Sequence, residues 1–295
     1  MRNKTITILL IIILSLIALI LGVFLVKMLT GSFNLNNFQF GHLISDELAY
    51  DETFTDSFEE IIIDSQASDI HITESTDNIF RVTIYGDREY THVDTTNNSL
   101  KITTDTKKCI GFCFNTTISK IEVTIPANYS KLLDIVNNYG DIEIGHLPNA
   151  VIKINEKAGD VEVNTANNLT INNNFGDIII DNANVAKIKA SAGDVKIGTT
   201  NEIELTNNYG DITIENVNRY LDINDSAGDI KINHVNLIKD SQIKNSYGDI
   251  TIGSTNEIYI DAKTSLGDYE INHNYPKSDI KLTINNSCGD ITINN

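Results

Sequence analysis

The chain has 295 residues, 41% of them hydrophobic, with 40 acidic against 22 basic side chains for a formal net charge of −18. A chain this long and this apolar can bury a core and is not a disordered segment, while the acid excess excludes a nucleic-acid binder, which needs a basic footprint. Three cysteines are too few for a disulfide scaffold, and their spacing does not fit a structural zinc site.

Residues 1–4 hold Arg2 and Lys4, and residues 5–26, TITILLIIILSLIALILGVFLV, follow without a charge. As a helix this run would measure about 33 Å, enough to cross a hydrocarbon core of roughly 30 Å. It is longer than a signal-peptide core and no A-x-A-like cleavage site follows it, so it predicts an uncleaved single-pass membrane anchor. The positive-inside rule places residues 1–4 in the cytoplasm and everything beyond residue 26 outside the cell membrane. Residues 27–57, with FNLNNFQF and DELAYDETF, have no strong period and read as an extracellular stalk or cap.

Residues 58–295 read as strands throughout. IIIDSQASDIHI sets Ile61, Ile63, Ile70 and Ile72 in alternation around Ala67-Ser68-Asp69. FRVTIYGD, SLKITTD and KIEVTIP alternate likewise, which predicts opening rungs that carry an inserted hairpin. Cys109 and Cys113 of CIGFC fit either a tight disulfide loop or two reduced thiols, and Cys288 is expected in the core.

Gly-Asp then recurs nine times, at Gly140-Asp141, Gly159-Asp160, Gly176-Asp177, Gly193-Asp194, Gly210-Asp211, Gly228-Asp229, Gly248-Asp249, Gly267-Asp268 and Gly289-Asp290. Successive glycines are 19, 17, 17, 17, 18, 20, 19 and 22 residues apart, a period that marks a solenoid. The second and fourth residues after each glycine, from Ile142 and Ile144 to Ile291 and Ile293, form two columns without a polar residue other than Tyr269. The same alternation runs backwards from the glycine, through Ile135 and Leu133 in the first repeat. Inward parity changes across Gly-Asp, so each repeat is two short strands joined at a corner. The prediction is an all-β fold, a single-stranded parallel β-helix with rungs of about 17–20 residues.

Glycine suits a corner that needs positive φ, and the aspartate is expected to bond N–H groups of its own turn. The nine pairs are thus structural corner residues. The residue before the glycine runs Tyr139, Ala158, Phe175, Ala192, Tyr209, Ala227, Tyr247, Leu266, Cys288, alternating large and small for most of its length. Counted in the inward frame, the rings are expected to pack in the core over their small neighbours. Asn137, Asn173, Asn207 and Asn245, two residues ahead of the rings, are expected to bond the corner backbone. The last Ile-x-Ile lies at the end of the chain, so the final rung in sequence is expected to expose its edge.

The anchor, KIEVTIP, and the ladder of YGDITI, AGDVKI and SCGDITI together resemble the bacterial putative-adhesin family of β-strand repeats. That family includes LiaG-type membrane-anchored proteins and is related to the toastrack domains of envelope-stress systems. The likeness spans about residues 58–295, four-fifths of the chain. It implies a β-helix outside the membrane, no established catalytic residue, and an association with envelope stress or adhesion.

Other chemistry is sparse. One aspartate per repeat is thin for a calcium β-roll, in which several oxygens converge on each ion, and no metal or other cofactor is implied. His146, His234 and His273 each fall six residues after a glycine, on rungs that are not neighbours, which fits turn residues. A polysaccharide-cleaving β-helix needs clustered acids on a sheet face, and Glu143 with Glu162 is a single pair followed by Ile179. The sequence therefore predicts a non-enzymatic binding or scaffold module held to the membrane by residues 5–26. Its predicted partner is an envelope protein in stress sensing or, alternatively, a wall polymer recognised by a surface adhesin.

Overall fold

Alternating apolar residues on the two sides of nearly every corner give each strand one apolar side, and winding the chain buries those sides together except at the outermost rung, where Tyr269 is exposed. The computed structural model describes residues 43–44, 47–105 and 117–294. The predicted anchor, the first part of the predicted stalk, and Cys109 and Cys113 lie outside the described residues. Among the described residues twenty-one strands belong to one hydrogen-bonded system. The N-terminal region holds β1 (Leu43–Ile44), β2 (Leu48–Phe54), β3 (Glu60–Ser65), β4 (Ser68–Ser75), β5 (Phe80–Tyr85), β6 (Thr91–Asp94), β7 (Ser99–Thr104), β8 (Thr117–Pro126) and β9 (Leu132–Asn137). The middle holds the long bent strands β10 (Ile142–Ala158), β11 (Val161–Phe175), β12 (Ile178–Ala192), β13 (Val195–Asn207) and β14 (Ile212–Asp225). The remainder holds β15 (Ile230–Val235), β16 (Ser241–Tyr247), β17 (Ile250–Thr255), β18 (Tyr259–Leu266), β19 (Tyr269–Ile271), β20 (Lys281–Cys288) and β21 (Ile291–Ile293).

Neighbouring middle strands pair in parallel, with identical repeat positions opposed: Ile142 meets Val161, Val161 meets Ile178, and Ile178 meets Val195. Parallel in-register stacking puts like residues over like, so the Ile-x-Ile positions become continuous buried columns. A second bend follows each Ile-x-Ile, where small or β-branched residues such as Ala166, Ala183, Thr200 and Val217 turn inward. Outside that bend an amide ladder climbs through Asn167, Asn184, Asn201 and Asn218, each side chain donating to the one before at 2.9–3.3 Å.

Rungs do not stack in sequence order at either end. Rung 60–75 lies between rung 99–126 and rung 132–147: β3 pairs with both β7 and β9, and β4 with both β8 and β10. At the other end β20 lies between β16 and β18, and β21 between β17 and β19. The last rung in sequence is therefore enclosed, with Leu282, Ile284, Ile291 and Ile293 fully buried, and the outermost rung is 259–271. This corrects the expectation that rung 281–293 would present the open edge. The inserted segment of the opening rungs runs antiparallel: β5 pairs with β8 and β2, and β6 with β7.

Candidate functional site: the ring-and-aspartate corner

The corner geometry begins with glycine. Gly210 has φ +123°, and a Cβ there would stand 2.2 Å from the carbonyl oxygen of Gly193 on the neighbouring rung. Gly159 is excluded from carrying a side chain by space alone, since its Cβ would meet the Gly140 oxygen at 1.9 Å. This close approach lets the corners hydrogen-bond from rung to rung, Gly193 N–H to Tyr209 O and Val195 N–H to Asp211 O being one such pair at 3.0 and 2.9 Å. Ser68 occupies the glycine position of rung 60–75, its N–H donating to Tyr139 O.

The aspartates bond between rungs rather than within their own turns, which corrects the expected Asx-type arrangement. Each backbone N–H donates to Oδ1 of the aspartate on the adjacent rung, in the spatial order Asp69, Asp141, Asp160, Asp177, Asp194, Asp211, Asp229, Asp249, Asp290, Asp268, at 2.8–3.1 Å. Like charges one rung apart, about 4.8 Å, repel by roughly 1 kcal/mol in water. A hydrogen bond to a charged group contributes about 1.5–3 kcal/mol, so the ladder outweighs its own repulsion. The result is an unbroken rail of carboxylates, exposed at most rungs and half-buried at Asp69, Asp177 and Asp194.

The rings beside the rail face solvent. Tyr139, Phe175, Tyr209 and Tyr247 are 56%, 63%, 67% and 64% exposed, which overturns the expectation that they pack in the core. Period-two counting fails at the bend: the last inward side chain before it is the asparagine two residues earlier, and its amide fills the corner from inside. Asn137 Nδ2 donates to Ser68 O at 2.9 Å, Asn207 to Gly210 O at 2.9 Å, and Asn245 to Gly228 O at 3.0 Å, as the sequence led one to expect. The predicted vertical register of large over small does occur, with Phe175 opposite Ala158 and Ala192. In space the column reads Tyr139, Ala158, Phe175, Ala192, Tyr209, Ala227, Tyr247, Cys288, Leu266, so the enclosed last rung restores an alternation that breaks in sequence. Cys288, expected in the core, is a half-buried free thiol of this column.

Two acids share the inner column with the asparagines. Glu156 is 3% exposed between Asn137 and Asn173, and Asp225 is 2% exposed opposite Asn207. Burial lifts the Glu156 carboxyl to about 7, against the pull of the Ala158 N–H, the Asn137 amide and the Lys157 N–H. Burial likewise lifts Asp225 to about 6, against the N–H groups of Ser226 and Ala227. Glu156 Oε2, both Asp225 carboxyl oxygens and the Oδ1 atoms of Asn137, Asn173 and Asn207 are buried without a hydrogen-bond partner, an arrangement in which a neutral carboxyl, which can donate, costs less than a charged one.

The remaining candidates do not assemble a centre. Glu143 pairs with Glu162 and bonds His71 at 2.8 Å, and Glu162 then opposes Ile179. His146, His234 and His273 are exposed, and His234 Nδ1 lies 2.8 Å from Ser254 Oγ. A shallow depression of about 560 Å³ on one sheet face is lined partly by paired side chains, Lys187 with Glu204 at 3.1 Å, Asn172 with Asn155 and Asp222 with Gln242, and partly by Lys189, Lys244 and Asn224. Among the described residues no group of three or more His, Cys, Asp or Glu is placed to hold a metal ion.

A parallel β-solenoid with an aspartate-laddered corner defines the structural class. The chain belongs to the Toastrack DUF4097 family, whose model matches residues 58–198 and again residues 184–295. Among solved structures it is similar to a putative adhesin from Bacteroides fragilis, with 18% identity, 86% of this chain and 100% of that one covered, and a TM-score of 0.40. A putative adhesin from Parabacteroides merdae aligns at 14% identity over 85% and 98% of the two chains, TM-score 0.41. A putative lipid-binding protein from Parabacteroides distasonis aligns at 15% over 85% and 99%, TM-score 0.37. No curated protein matches the sequence.

Proposed function

We propose that the chain is a non-enzymatic binding module, held at the cell membrane by residues 5–26, whose exposed ring column grips an extended wall polymer outside the cell. The observation that carries this reading is the ring column itself. Large apolar side chains repeat on every second rung, about 9.6 Å apart, along roughly 38 Å of one corner. Five large residues at 56–70% exposure are a costly arrangement for a surface with no partner. Flat rings at regular intervals suit the apolar faces of sugars in a linear polymer.

The test is co-sedimentation of the full-length protein, in detergent micelles, with isolated cell wall. The double variant Phe175→Ala, Tyr209→Ala should lower the bound fraction at least tenfold while leaving the urea midpoint nearly unchanged. Unaltered sedimentation of that variant would overturn the reading. A second reading, a scaffold that contacts an envelope protein in stress sensing, is favoured by the outermost rung. β18 pairs along one edge only, with β20, and beyond Asn274, which bonds both the N–H and the C=O of Ile260, its outer edge has no paired strand among the described residues. Deleting the chain and reading an envelope-stress reporter separates the two, since altered output with no wall binding supports only the scaffold.

A further inference from the structure

Ring column and carboxylate rail are two sides of one surface, because each ring and its aspartate are separated by a single glycine. Phe175 precedes Asp177, Tyr209 precedes Asp211, and Tyr247 precedes Asp249. The rail has no interruption between Asp69 and Asp268, and only one oxygen of each carboxylate is used by the ladder. A ligand lying along the rings therefore meets a row of negative charge at every rung. Outward asparagines add hydrogen-bonding groups beside the rings, since Asn174 and Asn208 directly precede Phe175 and Tyr209 and are exposed.

We infer that the polymer gripped by this corner is a β-1,4-linked glycan of amino sugars bearing free amines, lying parallel to the solenoid axis. The inference rests on the polymer-binding reading above and names the chemistry of the ligand. Two features of the corner select it. In a β-1,4-linked chain successive sugars are flipped, so every second sugar presents the same face, and its repeat matches rings that recur on every second rung rather than on each. The rail then sets the charge: a phosphate-bearing or uronic-acid polymer would be repelled along its whole length, a fully acetylated one would leave the carboxylates without a counter-charge, and protonated amines would pair with them. The chain's formal net charge of −18 acts in the same direction at longer range.

The experiment is calorimetric titration of the full-length protein in detergent micelles with a β-1,4-linked glucosamine hexamer and, separately, with its fully N-acetylated counterpart. The amine-bearing hexamer should bind about tenfold more tightly at low salt, the scale of two or three exposed ion pairs, and high salt should erase most of the difference. The triple variant Asp177→Asn, Asp194→Asn, Asp211→Asn keeps an Oδ1 acceptor at each ladder position, so the corner still folds. It should lose the preference for amines while retaining the weaker binding of the acetylated hexamer. Phe175→Ala with Tyr209→Ala should abolish binding of both. Equal affinity for the two hexamers, or an amine preference that survives in the aspartate variant, would overturn the inference and leave the polymer-binding reading standing. Failure of both hexamers together with continued ring-dependent sedimentation on isolated wall would also overturn the inference alone, whereas failure of both measurements would overturn the two readings together.

Discussion

The two ends of the solenoid solve the same problem differently. At each end the terminal rung in sequence is placed one position in, beneath a rung from further along or further back in the chain. Beyond that shared device the N-terminal end is closed. Antiparallel strands β2, β5 and β6 cover the outermost rung, and Phe54, Phe58, Phe80 and Tyr129 form a chain of edge-to-face contacts with centroids 5.7, 5.0 and 5.9 Å apart. At the C-terminal end, among the described residues, the outermost rung is met by the Asn274 amide and by Tyr275 N–H, which donates to Ile258 O at 3.2 Å, and its Leu266 and Tyr269 are 70% and 61% exposed. Stacking supplies stability along the axis, but it cannot close an end, and closure demands residues of a different pattern.

The largest effect should come from removing the enclosed rung. A chain ending at residue 280 loses Leu282, Ile284, Ile291 and Ile293, buried groups that contribute about 1.5–3 kcal/mol each, and leaves rung 259–271 without its neighbour. A chain ending at residue 256 loses more residues yet simply makes rung 241–255 the outermost. Limited proteolysis should therefore trim residues 257–280 rapidly from the first and leave the second intact, whereas sequential stacking would leave both intact. Next, Phe58→Ala or Phe80→Ala at the closed end should cost about 3–5 kcal/mol in urea unfolding, whereas Ile271→Ala at the open end should cost less than about 1.5 kcal/mol. Similar losses at both ends would show the aromatic cap to be dispensable.

Position along the axis should also grade the glycine effects. Gly210→Ala in the middle forces both a strained φ and a backbone overlap, at more than about 2 kcal/mol. Gly267→Ala, on a rung with one neighbour free to shift, should cost about half as much. An equal cost at both positions would mean that the end rung is as fixed as the middle.

The closed inner column adds a pH dependence that neither end shares. Because the folded state raises the Glu156 carboxyl from 4.5 to about 7, its contribution to stability is complete below about pH 4.5 and is lost as pH rises toward 7. Glu156→Gln, a neutral stand-in for the protonated acid, should match the parent near about pH 5 and exceed it by about 1–3 kcal/mol near about pH 8. Parallel stability curves for the two proteins would show that the acid stays charged. The smallest effect belongs to the exposed column: Tyr209→Ala should change stability by less than about 0.5 kcal/mol, while Asn207→Ala, two residues away and fully buried, should cost about 1–3 kcal/mol.

Much of the fold was legible because it is local. The Ile-x-Ile columns, the need for glycine at the corner and the buried amides of Asn137 and Asn207 all follow from alternation within one repeat. Rung order was not legible in those columns, because every rung offers the same isoleucines and the same Gly-Asp, so any rung can stack on any other. A trace did exist in the sequence: Tyr247, Leu266 and Cys288 break the large-small alternation, and exchanging the last two rungs mends it. The candidate site was half legible. The residues and their register followed from the repeat, but their exposure did not, since strand periodicity does not carry through a bend whose interior an asparagine already fills.

Enclosure of the last rung bears on how the molecule responds to tension. In an ordinary solenoid the chain end lies on the outside and peels away from one neighbour, one hydrogen bond after another. Here β20 is held by β16 and β18 at once, β21 by β17 and β19, and Asn294 N–H is tied to Ile252 O at 3.0 Å. Traction applied at residue 294 must shear two ladders together, which spreads the load over both flanking rungs and makes rupture abrupt rather than gradual.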